Sequence, residues 1–457
     1  MLMRIVQTLA VRGRLYTTDA KSFYGSHNKH QTRLVPWTFR VDAANNEAVK
    51  RMQSAQLWLE DIAPAAEVIP WLKSPHKRIL VASPPVTWET MSGAQRGACK
   101  GIVIYEGWAK DGDSATELLQ SGEVEIHPCH HHDACGPMSG CISPSFPLWV
   151  VRNKAFNTVT YSRPADLSQQ FGDFKHIEDI QWWTEKVAPN LRKGLLKLGG
   201  LDLNFLINLA QDLGDESHNR NDGLTLGLVN SLAIGMIKAG VPNGQILPIL
   251  EWFHPSQWKT GSGVRACLGL AMASAKGVLK PIEGLKHSSI ISIMARNGAE
   301  FGLRVAGLGD RWFTAPAPIP TGKFFAPYTQ EDAGGDMGDS AITETNGWGS
   351  FILKNSPSFL AMLPVNLEQS ERITADNEAL VIAENPLFPV PALGFRGSPC
   401  GIDLRRIIES GETPWINTGI AHKDEGHRVI GRGIVRAPLE AFQEAWEAFQ
   451  KVENEQH

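Results

Sequence analysis

The chain has 457 residues, which at roughly 150 residues per domain admits about three domains. Lys and Arg number 44 against 48 Asp and Glu, a net charge of −4 that excludes a broad basic surface for nucleic acid or anionic membrane. Hydrophobic residues at 42% and charged residues at 20% exclude a disordered chain. The longest apolar stretch, 224–237, contains Asn230 and falls short of the ~20 residues of a membrane-spanning helix. With only 6 Cys, a disulfide scaffold is not expected, and a reducing cytoplasm fits.

The start of the chain carries Arg4, Arg12 and Arg14 with no acid before Asp19. It reads as a solvated amphipathic segment, with a transit peptide as the alternative. Residues 47–72 read as a helix followed by a Pro-bounded segment. The run 78–82 suits a buried strand. Ser83-Pro84-Pro85 breaks it, and Trp88, Met91, Ala94, Ala98, Ile102 and Tyr105 recur at helical spacing. Strands are predicted again at 123–126 and 148–151.

The middle is helical. Ile180, Trp183, Val187, Leu191 and Leu195 mark one helix, bent at Pro189 and stopped by Gly199-Gly200. Further helices are predicted at 203–213 and 224–237. From Ser288 the pattern is strand-like, with Asn297-Gly298 between β-prone runs as a hairpin signal. Pro438 opens a final amphipathic helix carrying Leu439, Phe442, Trp446 and Phe449.

The densest chemical segment is His127-Pro128-Cys129-His130-His131-His132-Asp133-Ala134-Cys135. Imidazole, thiolate and carboxylate together raise a metal site. In an extended strand, however, His130 and His132 share a face while His131 points away. There is no Cys-x-x-Cys and no His-Glu-x-x-His. Histidines that orient a substrate by hydrogen bonds are the better expectation. Cys129, Cys135 and Cys141 then serve as small buried hydrophobes, and the bland alternative is a packed loop.

Asp215, Glu216, His218 and Asn219 form a polar run between two apolar helices, either a helix cap or a site whose members hold each other's protonation state. Arg296, Asn297, Glu300 and Arg304 lie in a glycine-rich, aromatic-bordered stretch. Arginine forks suit carboxylate or phosphate, whereas an ordinary charged hairpin face is the alternative. The polar-glycine loops holding Asp339 and Glu344, Arg396, and Asn417 with His422 could bring backbone N–H groups to an anion.

Taken together, several of these segments resemble one family. They are Pro84-Pro85-x-x-Trp88-Glu89-x-Met91 with Tyr105-Glu106-Gly107-Trp108, Cys129-His130-His131-His132 with Gly136-Pro137-Met138, and Gly214-Asp215-Glu216-x-His218-Asn219-Arg220-Asn221. Met294-Ala295-Arg296-Asn297-Gly298-x-Glu300-Phe301-Gly302 and Gly309-Asp310-Arg311-Trp312-Phe313-Thr314-Ala315-Pro316 join them, as do 338–345, 395–403 and 417–422. The chain is identified as similar to the G-subunit family of oxamate carbamoyltransferase over residues 42–436. Residues 1–40 and 251–264 depart from the family pattern.

The resemblance implies a mixed α+β fold of two related α/β domains with a helical bundle between them. The expected division is a divergent segment 1–41, a first α/β domain 42–165, a bundle 166–284 and a second α/β domain 285–457. It implies carbamoyl transfer between a small carboxylate, oxamate or oxalurate, and phosphate or carbamoyl phosphate, in allantoin breakdown. Other transferase subunits or a second copy of the chain are the expected partners, and no cofactor is expected.

In that scheme Arg296, Arg304 or Arg396 clamps the carboxylate. His130, His131, His132 or His422 polarises the carbonyl or carries a proton, with Asp215 and Glu216 orienting them and His218 beside them. Asn297, Glu300, Asp339, Glu344 and Asn417 complete the substrate site. The alternatives are a metal-dependent amide or ring-opening hydrolase using His130 and His132, and a non-catalytic subunit. All three require the scattered polar loops to converge.

Overall fold

The computed structural model describes residues 37–73, 75–164, 177–254, 267–427 and 429–455. The chain divides into Met1–Thr38 and Phe39–His457, and every described sheet belongs to the second unit. The arginine-bearing start and most of the Trp-rich 251–264 stretch lie outside the described residues.

The fold is mixed α and β. The strand Lys77–Val81 pairs in parallel with Val124–Pro128, and between them run the helices Gly93–Tyr105 and Gly112–Gln120. The first of these helices starts later than the periodicity predicts. Ser92 caps it by accepting from the Gln95 N–H, leaving Trp88 and Met91 in the preceding turn. Asp111 and Ser114 form a capping box that opens the second.

The predicted helix over 47–72 is corrected. A helix spans Thr38–Met52, and then Leu57–Pro64 is a strand. A register shift between Leu59 and Asp61 breaks its period-two alternation, so Trp58/Ile62 and Leu59/Ala63 mimic helical spacing. This strand pairs antiparallel with Pro147–Asn153, which contains the predicted 148–151 run and continues to Thr158–Ser162. The resulting five-stranded sheet is separate from the parallel pair.

The helical middle follows the periodicity closely, as Ala188–Leu198, Leu203–Asp212 and Asp222–Lys238. The bend expected at Pro189 is a π-turn over Trp183–Val187, placing Pro189 in the first turn of the next helix, where its missing N–H costs nothing. Gly199 ends that helix in the left-handed conformation. The helix Cys267–Leu279 is buried at every position but Leu268. One apolar cluster runs from Ala48 through Leu228, Leu270 and Ile293 to Cys400, so the middle helices and both flanking regions share a core.

The hairpin Ile291–Asn297/Glu300–Val305 turns at Gly298-Ala299. Asn297 stands just before the turn and its carboxamide oxygen accepts the N–H groups of Ala299 and Glu300. Phe313–Pro316 and Met337–Gly338 extend the hairpin to a four-stranded sheet. The terminal helix Leu439–Glu455 buries Phe442 and Phe449 as predicted.

Candidate functional site

The three histidines lie in a 3-10 turn, Cys129–His132, and not in an extended strand. Successive side chains in such a turn are about 120° apart, so the expected pairing of His130 with His132 on one face does not occur. His132 bonds to His127 at 3.1 Å and stacks on Trp71. His131 accepts the Trp312 indole N–H at 3.0 Å, which places its own proton on Nδ1. His130 turns inward. Among the described residues, no three His, Cys, Asp or Glu side chains are arranged to hold one metal ion.

His130 lies 3.7 Å from Asp339, and neither side chain touches solvent. The Asp339 carboxylate holds two loops together, accepting the Ser83 N–H at 2.8 Å and the Gly136 N–H at 2.7 Å. The His130 backbone N–H donates to Ser83 Oγ, and Asn297 Nδ2 donates to the Pro84 carbonyl at 3.0 Å. Burial pushes Asp339 up to about 6 against the pull of those N–H groups. Burial, reinforced by the positive charges of Lys276 and Arg304, holds His130 well below the usual imidazole range. Both of its ring nitrogens lack a hydrogen-bond partner. A neutral, enclosed imidazole with uncommitted nitrogens is ready to donate to, or accept from, a group brought against it.

Arg304 and Trp312 pack against the histidine turn. The Arg304 guanidinium covers the Trp312 ring at 4.6 Å and pairs with the exposed Asp310 at 3.1 Å. Glu300, at the far end of the same strand, accepts from Thr314 Oγ1.

A second cluster forms at the acidic corner. His218 Nδ1 is 2.8 Å from Glu344, whose carboxylate also accepts from the Thr343 hydroxyl and the Ser350 N–H. Glu216 accepts the N–H groups of His218 and Arg220, at 2.7 and 2.6 Å. Asp215 accepts the Leu224 N–H and pairs with Arg220 at 3.1 Å, so it caps the Asp222–Lys238 helix as well. Burial raises Asp215 to about 7 and Glu216 to about 8. Asn219 reaches Asn417 across the cluster.

Segment 338–345 joins the two clusters. At about 1.5–2 Å per helical residue, Asp339 and Glu344 stand within about 10 Å along it. Arg296 holds this segment in place. Its guanidinium donates to both Asp336 oxygens, to the Gly338 carbonyl, to Ser340 Oγ and to Thr418 Oγ1. Every one of its N–H donors is thereby used. The expectation of Arg296 as an open carboxylate clamp is therefore corrected: it is an internal tie.

Arg396 is exposed and pairs with Glu378 and Glu384, away from both clusters, which also corrects its expected role as a clamp. His422 belongs elsewhere too. It stacks on His427 and lines a cavity of about 230 Å³ with Ser92, Gly298, Gly335 and Lys423. Its Nδ1 accepts the Asp424 N–H.

Sequence reasoning passed over Ser83, Lys276 and Asp336. Lys276 is fully buried, 3.0 Å from Glu283 and 4.0 Å from Asp133. Its signal was available as the lone cation in the apolar stretch Cys267–Leu279. The partnership of Asp336 with Arg296 joins positions 40 apart, and no local pattern announces it.

A family model described as oxamate carbamoyltransferase subunit AllG matches residues 124–340. The chain is 38% identical to the uncharacterized protein YahG of Escherichia coli over 90% of its own length and 86% of YahG. A crystal structure of a conserved protein of unknown function from Enterococcus faecalis superposes with a TM-score of 0.85 at 34% identity, covering 90% of this chain and 98% of that one. The E. coli oxamate carbamoyltransferase subunit AllG is 35% identical over 89% of this chain and 97% of that subunit. On that extent of shared sequence, this chain belongs to the AllG family.

Proposed function

We propose that this chain is a carbamoyl-transfer enzyme, or the transferring subunit of a larger one, acting between a small carboxylate of the oxamate type and phosphate. In the phosphorolytic direction a phosphate oxygen attacks the carbamoyl carbonyl of oxalurate. The bond from that carbon to nitrogen breaks, and the nitrogen takes a proton as oxamate leaves beside carbamoyl phosphate.

The observation that carries this reading is the pairing of an enclosed neutral His130, its ring nitrogens unengaged, with Asp339 at 3.7 Å. An imidazole N–H aimed at the carbonyl oxygen supports the charge that develops there. Asp339, raised to about 6, exchanges protons near neutrality and suits transfer to the leaving nitrogen. Of the three arginines considered, Arg304 is the one beside His130 and His131, and in this reading it holds the carboxylate once its pairing with Asp310 opens. His218, Glu344, Asp215, Glu216 and Asn417 act in this reading by positioning segment 338–345.

Because the His130 side chain has no exposed surface, the residues packed over it must part before a substrate can reach it. The same enclosure favours a second reading, a subunit that assembles with a catalytic partner and does no chemistry itself.

The experiment supplies carbamoyl phosphate and oxamate to the purified chain, alone and with partner subunits, and follows phosphate release. His130→Asn and Asp339→Asn should each lower turnover by about 100-fold or more while leaving assembly intact. Turnover unchanged by both substitutions within an assembled complex supports the non-catalytic reading. No turnover in any combination defeats the transfer reading.

A further inference from the structure

The helix Asp222–Lys238 is apolar on more than its buried side. Leu224, Leu228, Leu232 and Met236 face the core. Yet Leu226, Ile234 and Ile237 are 47%, 46% and 64% exposed. A helix that is hydrophobic all round is ordinarily enclosed. Each of the two helices packed against it also exposes a large apolar side chain, Leu196 on Ala188–Leu198 and Phe205 on Leu203–Asp212, both more than half exposed. An open apolar surface of this kind marks an interaction site.

Four of the outward residues, Leu226, Asn230, Ile234 and Lys238, follow a row of every fourth position that begins at the part-exposed Asp222, with Ile237 beside the row. In order the row reads acid, apolar, amide, apolar, base. Reversed about Asn230, it matches itself. Leu226 then faces the partner's Ile234, Asn230 faces the partner's Asn230, and Lys238 faces the partner's Asp222. A parallel arrangement would instead set acid on acid and base on base. Rows of every fourth residue from two helices interlock at a crossing of about −50°, in either direction.

We propose that this ridge is the two-fold interface of a homodimer, with a second copy of the chain docked antiparallel and centred on Asn230. The row drifts round the helix by about 40° per step, so its centre carries the apolar packing and its ends meet at the flanks. The two Asn230 carboxamides each donate to and accept from the other, and a polar pair at such a seam fixes register. Asp222, held by Arg220 at 3.4 Å, shares its carboxylate with the partner's Lys238. The inference stands apart from the transfer chemistry, since it uses none of the groups around His130.

The test uses the full-length protein. Analytical ultracentrifugation at micromolar concentration should show a dimer, which Ile234→Lys converts to monomer with unchanged circular dichroism. All six native cysteines are buried. Asn230→Cys therefore adds an accessible thiol, and brief oxidation with copper-phenanthroline in air should yield a disulfide-linked homodimer, as expected of a position near the two-fold axis. Lys238→Glu and Asp222→Lys should each weaken dimerisation by about tenfold or more, and mixing the two variants should restore it, because both flanking pairs are then opposite in sign. The cross-link does not depend on Asp222→Lys folding. A monomeric wild type, or a dimer that survives Ile234→Lys and gives no cross-link through position 230, would overturn the proposal.

Discussion

Arg296 and Asp336 meet through two hydrogen bonds, Nε to Oδ2 at 2.7 Å and Nη2 to Oδ1 at 3.1 Å, with neither side chain reaching solvent. The pair joins the hairpin, segment 336–340 and the strand carrying Thr418. Removing one partner strands a buried charge. Arg296→Met should therefore cost about 3–5 kcal/mol of unfolding free energy. Arg296→Lys should recover only part of that, because an ammonium cannot reproduce the planar fork. Urea denaturation checks both, and full stability of the lysine variant would show that the fork geometry is unimportant.

Gly338 precedes Asp339 with φ +107, and a Cβ there would run into the Met138 backbone. Gly338→Ala should cost about 2 kcal/mol or more and displace the Asp339 carboxylate. Gly122 also has positive φ, but a Cβ there meets nothing within 4 Å. Gly122→Ala should be the milder change when the denaturation midpoints are compared, and equal losses would refute the close approach at Gly338.

Burial raises Glu216 from the usual 4.5 to about 8. The folded state thus binds its proton more tightly than the unfolded chain does. The stability that this provides is complete below about pH 4.5 and is lost as pH rises through about 8. In Glu216→Gln this dependence disappears. The variant carries a fixed penalty, because its amide NH2 faces a backbone N–H that the carboxylate accepted. The difference in melting temperature between variant and wild type should therefore shift in favour of the variant from about pH 5 to about pH 8. A difference independent of pH would remove the basis for a buried, protonatable Glu216.

Burial, with the Arg304 charge beside it, lowers His131 to about 4, and the Trp312 indole covers it and donates to Nε2. Trp312→Phe removes that donor and loosens the cover. The His131 pKa should then rise by roughly one unit or more, read from imidazole proton shifts in NMR titrations. An unchanged titration would separate Trp312 from the control of this site.

Much of the secondary structure was legible locally. The strand before Ser83, the helices of the middle, the Asn297-Gly298 hairpin region and the closing helix all announce themselves through periodicity and turn residues. The strand Leu57–Pro64 did not, because its bulge disguises a period of two. The histidine segment was legible as chemistry but not as geometry. A 3-10 turn and an extended run are equally compatible with Cys-His-His-His, and only the turn sends the three rings in three directions.

The amino-acid order alone determined which polar motifs exist, the mixed α+β class and the family resemblance, because these depend on short-range spacing and residue type. Tertiary structure decided which motifs meet. It set His130 beside Asp339, gave His218 to Glu344, turned Arg296 inward to Asp336 and left Arg396 at the surface. Such pairings join residues far apart in the chain. They depend on how several sheets and helices pack around one core and on which charges that packing removes from water, and no local pattern encodes either.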